Sequence, residues 1–387
     1  MSTIWTLAAL KETARSRETQ RQEESKLQSA HPTMTPSSSP LDRLGFPTPA
    51  DVAGLKTVAH LFGSSKPRCG IYLLALPNER FYIGQAVDVV RRFSQHAKTH
   101  ERIEKFSFIP TTKSKLDARE KALIFTAESS GLTLVNVVHV SNTYGESDLD
   151  ALVSPDELTA WLKDPFQQNE VDFATQPIEL PIAHVARFEA NYARFNNNPF
   201  FDSATILLYL YLDSAVPFPR RTEYTFWAVS CLPSTNRSRF PRLLCLSASV
   251  MELFCLGYYK DPNLAGELWG FVNVASDVLF DAYGSEAEFQ RAHPHIAVRH
   301  ITYRDAGQHQ VNLEAYLRND MFALLNDGAV IKAAAELSVR LMRKRATIYS
   351  KFHCPQLVDA ALGLREMESE EFEKLVDAVF PLEDEAS

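Results

Sequence analysis

Two tyrosines, each two residues from a glycine, sit close together in this chain, in Gly70-Ile71-Tyr72 and Tyr82-Ile83-Gly84. Arg92 and His96 follow at i and i+4, a spacing that puts both on one face of a helix. Glu120 comes later, between Arg119 and Lys121. Phenols and imidazoles can take up and release protons. A guanidinium can donate two coplanar hydrogen bonds to one phosphate, which an ammonium cannot do. A carboxylate offers hard oxygen to a cation, and its plainer role is a solvated helix acid. Gly70 and Gly84 allow the backbone to come close to another group.

The elements around these residues are readable. Ile71 to Leu76 is an apolar run, broken by Pro77-Asn78, and Phe81-Tyr82-Ile83 resumes it. Two β-rich runs about such a turn predict a hairpin. Residues 116–124 have helical spacing. Lys105–Pro110 alternates polar and apolar residues and reads as a strand, as does the stretch around Leu132–Val138. The predicted order over 66–141 is strand, strand, helix, strand, helix, strand. A short helix over 49–63, ending at Gly63, is expected to lead into it.

Six features in this order, the two triplets with Arg92, His96, Glu120 and Asn136, resemble the GIY-YIG nuclease family. The resemblance covers about residues 66–141. It implies a small antiparallel sheet packed between helices. It further implies a metal-dependent DNA endonuclease that hydrolyses phosphodiester bonds. Glu120 would be the single metal-binding carboxylate, with Mg²⁺ as the cofactor and Mn²⁺ as its alternative. Arg92 would bind the scissile phosphate. Arg91 is the adjacent competitor, which the count from Gly84 disfavours. Tyr72 would be the general base, although an unperturbed phenol titrates near pKa ~10 and needs help to ionise. Tyr82 and His96 would hold the water or phosphate, His96 having a structural role as its rival. Gly70 and Gly84 would let the backbone approach substrate, and Asn136 would be structural.

Composition bounds the rest. With 387 residues, 45% hydrophobic and 23% charged, the chain has the makeup of a globular protein with room for two domains. Its five cysteines form no C-x-x-C pair, which argues against zinc and a disulfide framework. No run reaches membrane-spanning length, and Ile4–Leu10 is short and lacks a preceding basic residue. A cytoplasmic protein without membrane contact is expected. The formal charge of −8 opposes nucleic-acid binding until it is divided. Residues 66–141 hold 12 basic and 7 acidic side chains, whereas 142–180 and 366–387 hold 1 basic and 9 acidic each. The basic part is therefore the one with the candidate chemistry, as phosphate binding favours.

The expected organisation is α+β: a polar, disordered segment 1–48, a GIY-YIG-like domain 49–141, an acidic connector 142–181, a C-terminal domain of mixed α/β pattern over 182–365, and an acidic tail 366–387. In the connector, Ser154-Pro155-Asp156-Glu157 starts a short helix, and 165–181 reads as linker. In the C-terminal domain the apolar runs 205–212, 225–229, 243–246 and 267–275 are helix or strand, residues 309–320 suggest a helix, and 328–349 a longer one. Arg340, Arg343 and Arg345, with Lys344 and Lys351, form a basic cluster. They either contact DNA or make a solvated or protein-facing surface. Two other functions stay open: a catalytically weak nucleic-acid-binding module, and a protein-interaction protein whose C-terminal domain has the main role.

Overall fold

Pro77-Asn78 does turn the chain. Asn78 and Glu79 both adopt positive φ, 60° and 54°, and the strands on either side pair in register. The computed structural model describes residues 40–63, 66–99, 102–143, 146–166, 180, 182–235, 240–301, 303 and 305–381. The expected disorder of 1–48 and linker of 165–181 fall largely outside these residues, as does the end of the acidic tail. The chain divides into a small unit, His31–Gly145 with Arg304–Gln308, and a large unit that takes Glu146–Tyr303 and His309–Ser387. The whole is mixed α+β with one sheet of five strands and one of six.

In the small unit β1 (Ala50–Asp51), β2 (Gly70–Leu76), β3 (Arg80–Ala86), β4 (Lys105–Pro110) and β5 (Thr133–Leu134) lie in the order β1-β4-β2-β3-β5. Helix α1 (Val89–Thr99) follows β3, and α2 (Leu116–Ser129) follows β4. The alternation of β2 sends its side chains to two faces. Tyr72, Leu74 and Leu76 join Val89, Phe93 and Phe106 in one core. Ile71 and Leu73 join Ile83, Leu116, Ile124 and Leu134 in the other. Full burial of each such side chain contributes about 1.5–3 kcal/mol.

Two expectations fail here, and one feature was not foreseen. Residues 49–63 are not a helix: Ala50–Asp51 pairs with Phe106 and Lys105 as an edge strand, and a single 3₁₀ turn follows at Ala59–Leu61. Pairing with the exposed edge of β4 outweighs local helix preference. The sheet is not antiparallel throughout, because β5 runs parallel to β3. The chain also returns to this unit at 305–308. Gly307, at φ +75°, lies against Val140 and Ser141, and the Gln308 amide donates to Ser129 Oγ at 3.0 Å and the Phe125 carbonyl at 3.3 Å.

The large unit begins with α3 (Pro155–Lys163), α4 (Ile182–Asn196) and α5 (Phe201–Ala215). Ser154 caps α3 reciprocally with Glu157, as the sequence suggests. Helix α5 is the run 205–212; it is buried on nearly every side, and so its sequence lacks a polar stripe. Six strands follow in sequence: β6 (Trp227–Cys231), β7 (Arg242–Ala248), β8 (Met251–Tyr258), β9 (Leu268–Val274), β10 (Ala297–Arg299) and β11 (Val311–Ala315). Helix α6 (Ser276–Tyr283) and α7 (Glu286–Ala292) lie between β9 and β10, and α8 (Arg318–Leu325) and α9 (Gly328–Lys344) come after β11.

The sheet order is β10-β11-β9-β8-β7-β6, and every pairing is antiparallel. This unit is therefore α+β rather than α/β. The helix expected over 309–320 is overturned as well. Val311–Ala315 alternates against β9, and a helix starts only at Arg318. Asp327 caps α9 by accepting from the Ala329 and Val330 amides. Helices α10 (Pro355–Gly363) and α11 (Ser369–Val379) end the described chain. The acidic 366–387 segment thus contains a packed helix, with Phe372 on Tyr209 and Phe380 stacked on Phe322. Among the described residues no helix is long and apolar enough to cross a membrane.

Candidate active site

On the α1 face of the small sheet, Tyr72 is opposite Gly84 in the β2–β3 register. A side chain at 84 would have its Cβ 2.5 Å from the Tyr72 oxygen, so glycine is what leaves room for the phenol. Helix α1 then delivers Arg92 and His96 one turn apart. The Tyr72 hydroxyl and His96 Nε2 are 2.7 Å apart, and both side chains are buried. Arg92 Nε donates to the same phenol oxygen at 3.3 Å. The Tyr82 ring completes the group, 4.9 Å from the His96 ring and 6.0 Å from that of Tyr72.

Burial is the main cause that pushes the Tyr72 phenol well above its ordinary 10.0; Tyr82 adds to it, and Arg92 opposes it. The bond to Tyr72 in turn raises the Arg92 guanidinium, which stays charged. Arg92 also donates to Gln95 Oε1 at 3.1 Å. Among the described residues its partners are neutral, and no carboxylate pairs with it. Its positive charge is thus held in place but not cancelled. Arg91, the competitor, is exposed, and its backbone amide bonds Asp88.

Glu120 arrives from the other face. It lies on α2, which packs against the Ile71–Leu73–Ile83 side of the sheet. Its Oε2 accepts from Gln85 Nε2 at 3.0 Å, and the same nitrogen donates to Asp117 Oδ1 at 2.5 Å. The structure therefore gathers Tyr72, Tyr82, Arg92 and His96 on one face and sets Glu120 at the end of β3, through the residue after Gly84. Among the described residues no three of His, Cys, Asp and Glu converge. The donor set fits Mg²⁺ all the same: a half-exposed carboxylate with a second one turn away supplies hard oxygen and leaves most of the shell to water and phosphate.

The remaining positions have structural occupations. Asn136 is buried and bonds both backbone groups of Ile83, donating to its carbonyl at 2.7 Å and accepting from its amide at 3.1 Å. It holds β3 one residue before Gly84. Gly70 lies against the Phe108 ring and the Ile109 carbonyl, so its close approach is to β4.

The basic cluster on α9 is not an open cationic face. Arg340 is only 8% exposed and donates twice to Asp277, both bonds 2.9 Å, and once to Glu336. Burial works against both charges of the Arg340–Asp277 pair, but their pairing wins, lowering the carboxyl and raising the guanidinium. Arg343 donates to Asp150 at 2.8 Å. Arg345 lies beyond the last turn of α9 and makes contacts of its own. Arg340 and Arg343 are thus committed to carboxylates of their own unit, an arrangement that disfavours them as DNA contacts.

Gln85, Gln95 and Asp117 touch the candidate residues but carry no distinctive signal in sequence. A glutamine at a strand end looks like any edge polar residue. The i,i+3 spacings Arg92–Gln95 and Asp117–Glu120 are visible only once the helices are placed. No family model matches this chain, and neither does any curated protein or solved structure.

Proposed function

We propose that the small unit is a GIY-YIG-type endonuclease domain that hydrolyses DNA phosphodiester bonds with a divalent cation. The observation that carries this reading is the Arg92 guanidinium, fixed by a phenol and an amide and, among the described residues, paired with no carboxylate. A cation held in that way binds an anion without first losing a partner, and its fork suits a phosphate. The buried Tyr72–His96 pair beside it supplies the proton chemistry. For Tyr72 to take a proton from attacking water it must first release its own, and His96 Nε2 stands 2.7 Å away to accept it. Water attacks phosphorus, one P–O bond breaks, and the proton reaches the leaving oxygen. A divalent cation at Glu120 would polarise a phosphoryl oxygen and offset its charge.

Incubating supercoiled plasmid with the full chain in Mg²⁺, Mn²⁺ or EDTA tests this. Wild type nicks or linearises the plasmid only with a divalent cation, and Glu120→Ala abolishes it. Cleavage that persists in both EDTA and Glu120→Ala would remove the assignment. One feature favours a second reading, a phosphate-binding module with slow turnover: the phenol is pushed up rather than down, so Tyr72 is protonated near neutral pH. That reading expects metal-insensitive DNA binding that depends on Arg92, with no cleavage.

A further inference from the structure

We propose that Gln85 is a positioning residue for Glu120, holding its carboxylate at the end of β3 for a divalent cation. This rests on the reading of the site given above. The backbone makes the connection. Gly84 faces Tyr72 across the β2–β3 register, and Gln85, one residue on, points to the opposite face, where α2 lies. Its side chain spans from sheet to helix and donates from one nitrogen to two carboxylates, Asp117 Oδ1 at 2.5 Å and Glu120 Oε2 at 3.0 Å.

Those carboxylates stand one turn apart on α2 and repel each other. A neutral amide can hydrogen-bond both, but it cancels neither charge. It therefore ties both to the strand without itself removing their anionic character. Its bond to Glu120 ties that carboxylate to the end of β3. Groups that orient a metal-binding carboxylate in this way typically contribute 10–100-fold in metal affinity. Gln85 thus ties the α2 carboxylates to the strand whose preceding residue, Gly84, faces Tyr72. A mere strand-to-helix tie would use the same bond, and the two roles separate when metal binding is measured directly.

The test uses the full chain and Mn²⁺ as the probe, with free Mn²⁺ read by electron paramagnetic resonance. Gln85→Met keeps the length of the side chain and removes its donors, and Gln85→Leu serves as a second variant should the first fold poorly by circular dichroism. The substitution is expected to weaken Mn²⁺ binding about tenfold or more. The Mn²⁺ concentration for half-maximal plasmid nicking should rise by the same factor, while the rate at saturating Mn²⁺ falls far less. In a Glu120→Gln background, Gln85→Met should cause no further loss of Mn²⁺ binding. Unchanged Mn²⁺ affinity in a folded Gln85 variant overturns the proposal and leaves the nuclease reading intact, as does an equal loss in the Glu120→Gln background. A wild type that neither binds Mn²⁺ nor nicks DNA overturns the nuclease reading and this proposal with it.

Discussion

In the small unit Arg92 rests on a phenol and a glutamine amide; in the large unit Arg340 rests on two carboxylates. Both lie on helices rich in basic residues, and sequence alone gives them similar standing. Their surroundings set them apart. Arg340 belongs to a pattern that recurs in the large unit, where Arg220 pairs with Glu223 and Asp359, Arg221 with Glu157, Arg242 with Glu252 and Arg343 with Asp150. The pairs Arg220–Asp359, Arg221–Glu157, Arg340–Asp277 and Arg343–Asp150 tie distant parts of the chain together, and breaking a buried pair strands the remaining charge. Among the described residues Arg92 ties nothing acidic down. Charge committed to an internal partner serves the fold, whereas charge held by neutral partners is left for a ligand.

The largest effect that would break the comparison is on rate. Arg92→Ala should cut plasmid cleavage by about 10²–10³-fold, the usual loss for one preorganised donor to developing charge. Its melting temperature should stay near wild type. Arg91→Ala should lose far less, and equal losses in the two variants would mean that helix α1 presents the wrong arginine.

Arg340→Ala should do the opposite. It should destabilise the large unit by about 3 kcal/mol, near the low end for a broken buried pair because Asp277 keeps 34% of its side chain exposed. DNA affinity and its salt dependence should not change. A steep loss of affinity in a folded Arg340 variant would return this helix to the DNA interface.

Tyr72→Phe sharpens the contrast by removing one oxygen. If the phenol is the base, cleavage should drop on the order of 10²-fold. Its pH behaviour has a defined sign. A phenol pushed above 10.0 in the folded protein binds its proton more tightly than in the unfolded chain. Its stabilising contribution is complete below pH 10 and is lost as pH rises beyond it, because the unfolded chain ionises first. Tyr209 and Tyr211 of the large unit are pushed up by burial too. The small unit's share is therefore the difference between wild-type and Tyr72→Phe denaturation midpoints from pH 8 to 11. A difference that stays constant over that range would refute the burial argument.

The smallest expected effect is at Gly307. Its φ of +75° costs an alanine about 1–2 kcal/mol, and a methyl there meets the backbone of Val140 and Ser141. Gly307→Ala should lower the melting temperature of the small unit and slow cleavage only in proportion to unfolding. An unshifted melting curve would show that 305–308 adds nothing to that unit.

Much of the small unit was legible because its signals are local. Pro77-Asn78 announces a hairpin, and the i,i+4 pair Arg92 and His96 needs only a helix to share a face. The face on which Glu120 would fall was not legible, since strand parity and helix packing decide it together. Gln85 was missed for the same reason. In the large unit, Phe201–Ala215 is apolar on all sides, which removes the period that tells helix from strand. Val311–Ala315 was read as part of a helix because its partner, β9, lies about forty residues earlier in the chain. The Arg340–Asp277 pair spans 63 positions. A basic helix looks the same in sequence whether its acids come from elsewhere in the fold or not at all.

The return of residues 305–308 has a consequence for synthesis. A chain made from its N-terminus can form the β2–β3 hairpin and both helices of the small unit early. The Gly307–Gln308 contacts with Ser141, Phe125 and Ser129 must wait until most of the large unit has left the ribosome. The unit that holds the candidate site is thus begun first and closed late. Translation stopped before residue 305 would release a chain with all five candidate catalytic residues but without the segment that completes their unit.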